Sequence, residues 1–345
     1  MFPVKLIRIV TPQVVVLMTL TLFSALAASN SRSDNASPAG VVCDVPGGYS
    51  TIQAAVDDNN CDIIALTTAL YVENVAITRT VTIQGRSPAA TTVDGNASGP
   101  VFAIGNGGVV TLTRMTITHG LGGIYNDAGI GEFKVAFVID CVIRNNEGSG
   151  IVNGASRFGD AWMYVIRTTL SGNAATTGGG IENAGYASLY VTNSTLSNNS
   201  ASQGGGIYNV WYEAAPYGGY KHFGATNSIV AHSSSGGDCV NDVDARFSDN
   251  GYNIVEDGAC ISASTSISGD PMLGPLADNW GFTPTHALLK GSPAIDTGSE
   301  NCLNTDQRGI SRPLDGDGDG MVRCDIGAFE LLIIKSSMFL PLMAR

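Results

Sequence analysis

The sequence predicts an all-β protein whose central part is a single-stranded, right-handed parallel β-helix, with a short N-terminal capping helix and a loop-rich C-terminal cap. Two phrases recur in phase along the chain, and glycine is abundant at 43 residues. A period of about 26 residues that holds several short strands is typical of one β-helix coil. The first phrase is Gly/Ser-Gly-Ile-x-Asn, ending at Asn126, Asn153, Asn183 and Asn209. The second phrase is Thr116-Ile117, Val142-Ile143, Thr169-Leu170, Thr195-Leu196 and Ser228-Ile229.

The first phrase also predicts which side chains stack. One coil cannot bury its apolar residues alone, so the isoleucines of successive coils should form an inward column. These isoleucines are Ile124, Ile151, Ile181 and Ile207. The asparagines should form a hydrogen-bonded ladder at the turn, as stacked amides do in cross-β assemblies. We therefore expect a structural role for both sets.

The N-terminal end of the solenoid needs a cover, because an open β-helix exposes a strand edge and its core. Residues Tyr49 to Val56 have the pattern of a short amphipathic helix, with Ser50 as the predicted N-cap. The sequence therefore predicts a short helix over the first coil.

The first 27 residues have the form of a secretory signal peptide. Lys5 and Arg8 precede an uncharged apolar run from Ile9 to Leu26, and Ala25-Leu26-Ala27 fits a cleavage site. A transmembrane anchor is the alternative, but Pro12 and the small residues favour cleavage. The prediction is a secreted or cell-surface protein, divided into a flexible segment 28–42, a β-helix 43–290, a cap 291–330 and an apolar tail 331–345.

Seven cysteines fit this compartment, because an exported chain can oxidise its thiols. Six of them fall into near neighbours, and Cys141 within the repeats should remain a buried thiol. The predicted disulfides are Cys43–Cys61, Cys239–Cys260 and Cys302–Cys324.

The net charge of the chain limits the classes of partner that we expect it to bind. The formal net charge is −12, and removal of Lys5 and Arg8 would make it −14. Such a surface repels phosphate backbones, so we expect no nucleic acid partner. We also expect a monomer without a transmembrane span in the mature chain, and a polysaccharide or cell-surface glycan as the partner.

The C-terminal part carries a family resemblance. It lies in Gly291–Gly298, Asp306–Gly309, Arg312-Pro313, Asp315–Gly320 and Cys324–Glu330. This signature resembles the choice-of-anchor Q domain of bacterial surface proteins, which implies a secreted pectin-lyase-like solenoid ending in a surface-sorting tail. Beside the resemblance, we expect a loop tied to the last coil through Asp296, Asp306, Arg308 and Asp325. The tail 331–345 lacks an LPxTG pattern, so a sorting tail and a simple last strand remain equal alternatives.

One loop within this region has the pattern of a calcium site. Asp315, Asp317 and Asp319 alternate with glycines, and Gly320 stands where a calcium loop turns sharply. Position 12 of such a loop is Ile326 here, so Asp325 beside it is the predicted fourth ligand. The prediction is a structural Ca²⁺ ion, and the alternative is a solvated acidic turn.

Two aromatic sets are candidate ligand contacts. If Ile points inward, the next residue points outward, which gives an outer column of Tyr125, Val152, Glu182 and Tyr208. A longer step between repeats places an aromatic insert near 210–224, and surface loops on rigid scaffolds often bind ligands. Its candidate contacts are Trp211, Tyr212, Tyr217 and Tyr220. The alternatives are ordinary exposed residues and a loop that buries its own rings.

Residues for catalysis are sparse in the sequence. His119 with Asp140 or Asp127 is the nearest approach to an acid–base group, although a lone histidine at a turn is usually a surface residue. We therefore favour a non-catalytic adhesin or glycan-binding scaffold. The alternatives are a divergent polysaccharide lyase or glycoside hydrolase acting on acidic polysaccharide, and a purely structural envelope component.

Overall fold

The computed structural model describes residues 40–86, 91–105, 108–211 and 222–333. Through most of this range the chain passes in turn through three parallel sheets, which we name A, B and C. A two-stranded antiparallel hairpin follows the last coil. The predicted all-β parallel solenoid is confirmed.

Among the described residues, sheet A has nine strands, sheet B nine and sheet C seven. Sheet A contains β1 (Val42–Val45), β2 (Ile63–Leu66), β5 (Val81–Gly85), β8 (Gly108–Thr113), β11 (Phe133–Ile139), β14 (Asp160–Ile166), β17 (Ala187–Thr192), β20 (Phe223–Thr226) and β23 (Phe247–Asp249). Sheet B contains β3 (Leu70–Val72), β6 (Thr92–Asp94), β9 (Thr116–Thr118), β12 (Val142–Arg144), β15 (Thr169–Ser171), β18 (Thr195–Ser197), β21 (Ile229–Ala231), β24 (Ile254–Val255) and β25 (Ile267–Ser268). Sheet C contains β4 (Val75–Ile77), β7 (Pro100–Ile104), β10 (Gly122–Ala128), β13 (Ile151–Ala155), β16 (Ile181–Gly185), β19 (Ile207–Val210) and β22 (Cys239–Asn241). The hairpin contains β26 (Leu273–Ala277) and β27 (Thr285–Leu288).

The two predicted columns lie in sheet C. Ile124, Ile151, Ile181 and Ile207 pair in register, and each is buried. The asparagine two residues later in each strand points to the same side, because side chains alternate. The four asparagines therefore lie inside the strands, and the expectation that they lie at the turn is wrong. Each side-chain amide donates to the amide oxygen of the next coil at 2.6–2.8 Å, from Asn126 through Asn153, Asn183 and Asn209 to Asn241.

A second asparagine ladder lies at the turn between sheets B and C. Asn146 Nδ2 donates to Asn173 Oδ1 at 2.8 Å, and Asn173 Nδ2 donates to Asn199 Oδ1 at 3.0 Å. The same oxygens accept the backbone N–H groups of Asn146 and Asn173. The repeated phrases did not reveal this ladder, which satisfies the turn's backbone groups where no strand partner is available.

The N-terminal cover is helix α1 (Ile52–Asp57), whose Ile52, Ala55 and Val56 are buried in the main core. Its N-cap is Thr51 and not Ser50, because Thr51 Oγ1 accepts the Ala54 N–H at 3.1 Å. Among the described residues, no helix is long and apolar enough to cross a bilayer. The predicted short capping helix is confirmed, with its N-cap one residue later.

The C-terminal segment 270–333 lies along the side of the solenoid. It covers the outer face of sheet B through an apolar cluster that joins Ile229, Ala231 and Ile254 to Leu288, Ala294, Ile295, Ile326 and Phe329. Its polar contacts reach earlier coils, through Gln307 to Thr169 and Cys141, His286 to Ser171, and Ala328 to Thr195.

We expected charged side chains to tie this segment to the last coil, and the observed contacts are different. The carboxylate of Asp306 pairs with Arg308 of the same segment at 2.7 Å, and Asp325 accepts from Asp296 N. These charged groups therefore make their contacts within the C-terminal segment. At the end of the coils, Ala259, Cys260 and Ile261 pack against the main core instead.

All three predicted disulfides are present, and Cys141 is a free, buried thiol. Burial raises the pKa of the Cys141 thiol to about 12. The cysteine predictions are confirmed.

The buried ladder gives a stability prediction. Asn153→Ala should lower the free energy of unfolding by about 3 kcal/mol, because it leaves the Asn126 donor and the Asn183 acceptor buried without partners. Asn241→Ala, at the exposed end of the ladder, is the control and should cost less than about 1 kcal/mol. Urea unfolding followed by circular dichroism measures both, and equal losses would contradict the role given to the buried ladder.

Candidate functional site

The outer face of sheet C brings together three of the predicted ligand contacts. Tyr125 pairs with Val152, Val152 with Glu182, and Glu182 with Tyr208. Tyr125 is 43% exposed, and the other three are partly exposed. Adjacent coils are roughly 4.8 Å apart, so the acid stands beside one tyrosine and two coils from the other. We name Tyr125, Val152, Glu182 and Tyr208 the outer column.

Carboxylates surround the two tyrosines of the outer column. Tyr125 Oη donates to Asp127 Oδ2 at 3.2 Å, and Thr177 Oγ1 donates to Glu182 Oε2 at 2.8 Å. The pKa of Tyr125 is raised by burial and then by the charges of Asp127 and Glu182. The pKa of Tyr208 is raised by burial, with Glu182 among the further causes. The face is therefore aromatic and acidic, with hydroxyl groups that remain protonated at neutral pH.

A glycine makes room for one of these carboxylates. Gly154 pairs with Asp127 on the adjacent coil, and a Cβ at residue 154 would lie 2.8 Å from Asp127 Oδ1. A larger residue would displace the carboxylate, so the glycine helps to set the position of Asp127 beside Tyr125.

The aromatic insert is described only in part. Trp211 lies after β19 and packs against Tyr186, with ring centroids 4.6 Å apart and planes tilted by 56°. Tyr212, Tyr217 and Tyr220 lie outside the described residues. Ligand binding by this insert stays a prediction.

The outer face of sheet A carries a stack of aromatic rings that the two repeated phrases did not reveal. Phe137, Tyr164 and Tyr190 stack on consecutive coils with centroids 4.9 and 5.2 Å apart and nearly parallel planes. Their sequence steps of 27 and 26 residues match the repeat, which is the signal that would have revealed them. Because each ring faces the next, the faces are occupied by neighbours, and the stack stabilises the sheet more than it offers a surface to a ligand.

The proposed acid–base group is divided between two corners of the solenoid. His119 follows β9, and its Nδ1 lies 2.8 Å from Asp94 Oδ2. Asp140 follows β11, is buried, and accepts from Arg167 Nε at 2.7 Å and Nη2 at 3.1 Å. His119 therefore lies at the corner after sheet B, and Asp140 lies at the corner after sheet A. These are different corners of the solenoid, so the structure does not bring the two side chains together.

The acidic loop forms a different group from the one expected. Asp315 and Asp317 lie with Asp296, each offering one carboxylate oxygen within 4.8 Å of the others. Asp319 accepts from Met321 N at 2.7 Å. Asp325 is buried, and its two oxygens accept from Asp296 N and Leu331 N. Asp296 therefore stands where the sequence predicts Asp325, and calcium binding stays a prediction.

Carboxyl groups with a raised pKa are the usual candidates for an acid catalyst. Five carboxyl groups among the described residues have a raised pKa, and burial is the largest cause in each. They are Asp140, Asp238, Asp296, Asp325 and Glu330. All five are less than a tenth exposed. These groups are enclosed by protein, so a polymeric substrate has no access to them.

Glu330 lies at the centre of the buried charges under the C-terminal segment. Its Oε2 is 3.0 Å from Arg312 Nε, and both side chains are almost fully buried. Burial raises the pKa of Glu330 to about 7 and that of Asp325 to about 6, against the effect of Arg312. Desolvation therefore outweighs the attraction of Arg312 at both carboxyl groups.

The three parallel sheets and the side-chain columns on their faces show that the chain is a parallel β-solenoid of stacked repeats. Comparison with known proteins found no matching family model, no matching curated protein and no matching solved structure.

The buried carboxyls give a pH prediction. A carboxyl with a raised pKa binds its proton more tightly when folded, so its contribution to stability is complete below pH 4.5 and is lost as pH rises through about 7. Glu330→Gln removes this titration and should flatten the fall in unfolding free energy between pH 5 and pH 8 by up to ~3 kcal/mol. Glu300→Gln, an exposed change in the same segment, should keep the wild-type slope. Urea unfolding at several pH values measures the slopes, and identical slopes for wild type and Glu330→Gln would refute the assignment.

Proposed function

We propose that this protein is an exported, non-catalytic scaffold at the cell surface or in the medium, and that it binds glycans through the outer face of sheet C. The observation that carries the proposal is the outer column, where two partly exposed tyrosines stand in register with Glu182. A tyrosine offers an apolar ring to sugar C–H groups and a hydroxyl to polar ones. A carboxylate accepts hydrogen bonds from sugar hydroxyls.

The inner side of sheet C supports this assignment. Directly beneath the outer column, the isoleucine column and the asparagine ladder fix the strand register. A face that is already ordered loses little conformational freedom when a ligand binds, which favours affinity. The regular spacing of its coils suits a ligand that is itself an extended polymer.

The charge of the face favours a neutral glycan. Asp127 and Glu182 flank the tyrosines, and Asp242 acts on Tyr208 from the next coil. With a net charge of −12 on the chain, an anionic polysaccharide would be repelled. A neutral polysaccharide, or the neutral part of a surface glycan, is the ligand class that the face fits.

A divergent hydrolase or lyase is less well supported. Such an enzyme needs an accessible acid and base at a set separation along one groove. The described carboxyls with raised pKa values are enclosed, and His119 and Asp140 lie at separate corners. These positions favour the scaffold over the enzyme.

Export rests on three independent supports. Three disulfides are compatible with an oxidising compartment. Residues 1–27 have the pattern of a signal peptide, and residues 291–330 resemble the choice-of-anchor Q domain of bacterial surface proteins. We propose on this basis that the mature chain reaches the surface or the medium.

Glycan binding is tested by titrating the mature chain with neutral and acidic polysaccharides in affinity electrophoresis and calorimetry. Tyr125→Ala and Tyr208→Ala should each weaken binding of a neutral glycan at least about tenfold, because each removes an apolar contact surface. Phe133→Ala, which removes an aromatic ring that is 56% exposed on sheet A, should leave binding unchanged. Unchanged binding in both tyrosine variants would refute the site. Release of reducing or unsaturated sugar ends by the wild-type chain would support the enzyme instead.

We further propose a structural Ca²⁺ ion held by the acidic loop. Carboxylate oxygens are the ligands that Ca²⁺ prefers, and Asp296, Asp315 and Asp317 converge there. Asp317→Asn should weaken calcium uptake at least about tenfold in isothermal titration. Asp319→Asn is the informative control, since Asp319 lies outside this group and its loss should have little effect. Absence of calcium uptake by the wild-type chain at millimolar concentration would remove the proposal.

A further inference from the structure

Three residues that follow different strands meet where the last strands of sheet B end. Ile229, Ile254 and Ile267 pair in register across β21, β24 and β25. His232 directly follows β21, Glu256 directly follows β24, and Asp270 lies two residues beyond β25. Because the strands are parallel, their carboxyl ends share one edge, and these side chains come together there.

The distances between the three side chains suit a metal ion. His232 Nε2 lies 3.1 Å from Asp270 Oδ1 and 3.9 Å from Glu256 Oε2. One ligand atom from each residue lies within 4.8 Å of the others. Tetrahedral zinc, with bonds of about 2.0–2.2 Å, separates its ligand atoms by about 3.3–3.5 Å. The observed separations lie on either side of that value.

Backbone and side-chain contacts hold the three groups in place. His232 Nδ1 is 3.4 Å from Ser197 Oγ, which leaves Nε2 towards the carboxylates. The backbone N–H of His232 donates to Glu256 Oε2 at 2.6 Å, and that of Met272 donates to Asp270 Oδ1 at 2.7 Å. Each carboxylate oxygen has a second lone pair for an ion. Such outer contacts orient metal ligands in known sites.

The group is open to solvent and chemically mixed. The side chains of His232, Glu256 and Asp270 are 28%, 33% and 61% exposed. One imidazole with two carboxylates suits a first-row transition metal such as Zn²⁺ better than the oxygen-only ligand sets of Ca²⁺. Three protein ligands leave a fourth position for water.

We propose that His232, Glu256 and Asp270 bind a transition-metal dication, with Zn²⁺ as the test ion. The ion joins the last three strands of sheet B to the start of the C-terminal segment. That junction is next to Pro271, whose carbonyl oxygen accepts from Ser292 Oγ at 2.6 Å. The ion therefore fixes the point at which the chain leaves the solenoid and turns back along its side. This site is independent of the proposed glycan face and of the acidic loop.

A second histidine supplies the matched control. His119 also pairs with a carboxylate, Asp94, at the same corner of an earlier coil. Within the described residues, the groups of three or more candidate ligand atoms include His232 but not His119. Both histidines have a left-handed backbone, with φ of 56° for His232 and 51° for His119. Asparagine tolerates this conformation, so His→Asn is a suitable change at either position.

The experiment is titration of the mature chain with Zn²⁺ by calorimetry, and with Co²⁺ by visible absorption as a report on coordination. We expect one ion per chain, a rise in the thermal unfolding midpoint with Zn²⁺, and at least about tenfold weaker binding in His232→Asn and Asp270→Asn. His119→Asn should bind like the wild type. Asp270→Asn alters an exposed side chain, so it serves if His232→Asn fails to fold.

Two results would overturn the site. The first is no Zn²⁺ uptake by the folded wild-type chain. The second is equal Zn²⁺ affinity in the wild type, His232→Asn and Asp270→Asn, since that result would place the ion elsewhere. Loss of binding only in Asp317→Asn would likewise assign the ion to the acidic loop.

Discussion

The register between coils is the constraint on which the rest of this structure depends. Each coil is too short to bury its own apolar residues, so the core exists only where coils stack in phase. Two asparagine ladders hold that phase, one inside the strands of sheet C and one at the turn after sheet B. A slip of one residue would turn the inward isoleucines and asparagines outward. It would also separate the outer column, which exists only because Tyr125, Val152, Glu182 and Tyr208 share a register.

The solenoid also depends on a segment that does not repeat. The outer face of sheet B carries Ile229, Ala231 and Ile254, and water would be in contact with them without the C-terminal segment. Gln307 and His286 reach Thr169 and Ser171 on earlier coils, so the cover extends well back from the end. Its internal charges are buried at a cost that is visible in the raised pKa values of Asp325 and Glu330. The C-terminal segment thus covers one side of the solenoid, and it contains buried charged side chains that pair within the segment itself.

Repetition made most of the fold predictable. When a residue type recurs about every 26 positions, the repeat predicts which residues lie side by side on adjacent coils and which face of the sheet they share. This information was sufficient to predict the isoleucine column, the outer column and the coil period. The turn ladder of Asn146, Asn173 and Asn199 has the same spacing, but its flanking residues vary and no phrase draws attention to it. The ladder of Asn126 and its partners was found but misplaced, because the phrase did not show that the strand continues past the asparagine.

The contacts that break the period could not be predicted. Asp270 follows Glu256 by only 14 residues, because the chain goes from β24 to β25 within sheet B without completing a coil. No repeat spacing could join it to His232. In the same way, Asp296 is far in sequence from the acidic loop that it completes, and the short-range calcium pattern pointed to Asp325 instead. Local motifs identify residue types well, but long-range folding decides which of them meet.

Uniform coil interfaces have a consequence for how such a chain can change length. The segment between β19 and β20 is longer than its counterparts, yet Tyr190 still pairs with Gly224 and Asn209 still bonds to Asn241. The addition at that corner leaves the asparagine ladder of sheet C continuous. Duplication or deletion of one complete coil between Asn126 and Asn209 would do the same, since these coils offer their neighbours the same sheet C amide and isoleucine. Such an array can therefore gain or lose whole coils without losing register, and the ends with their covers are the parts that must be kept.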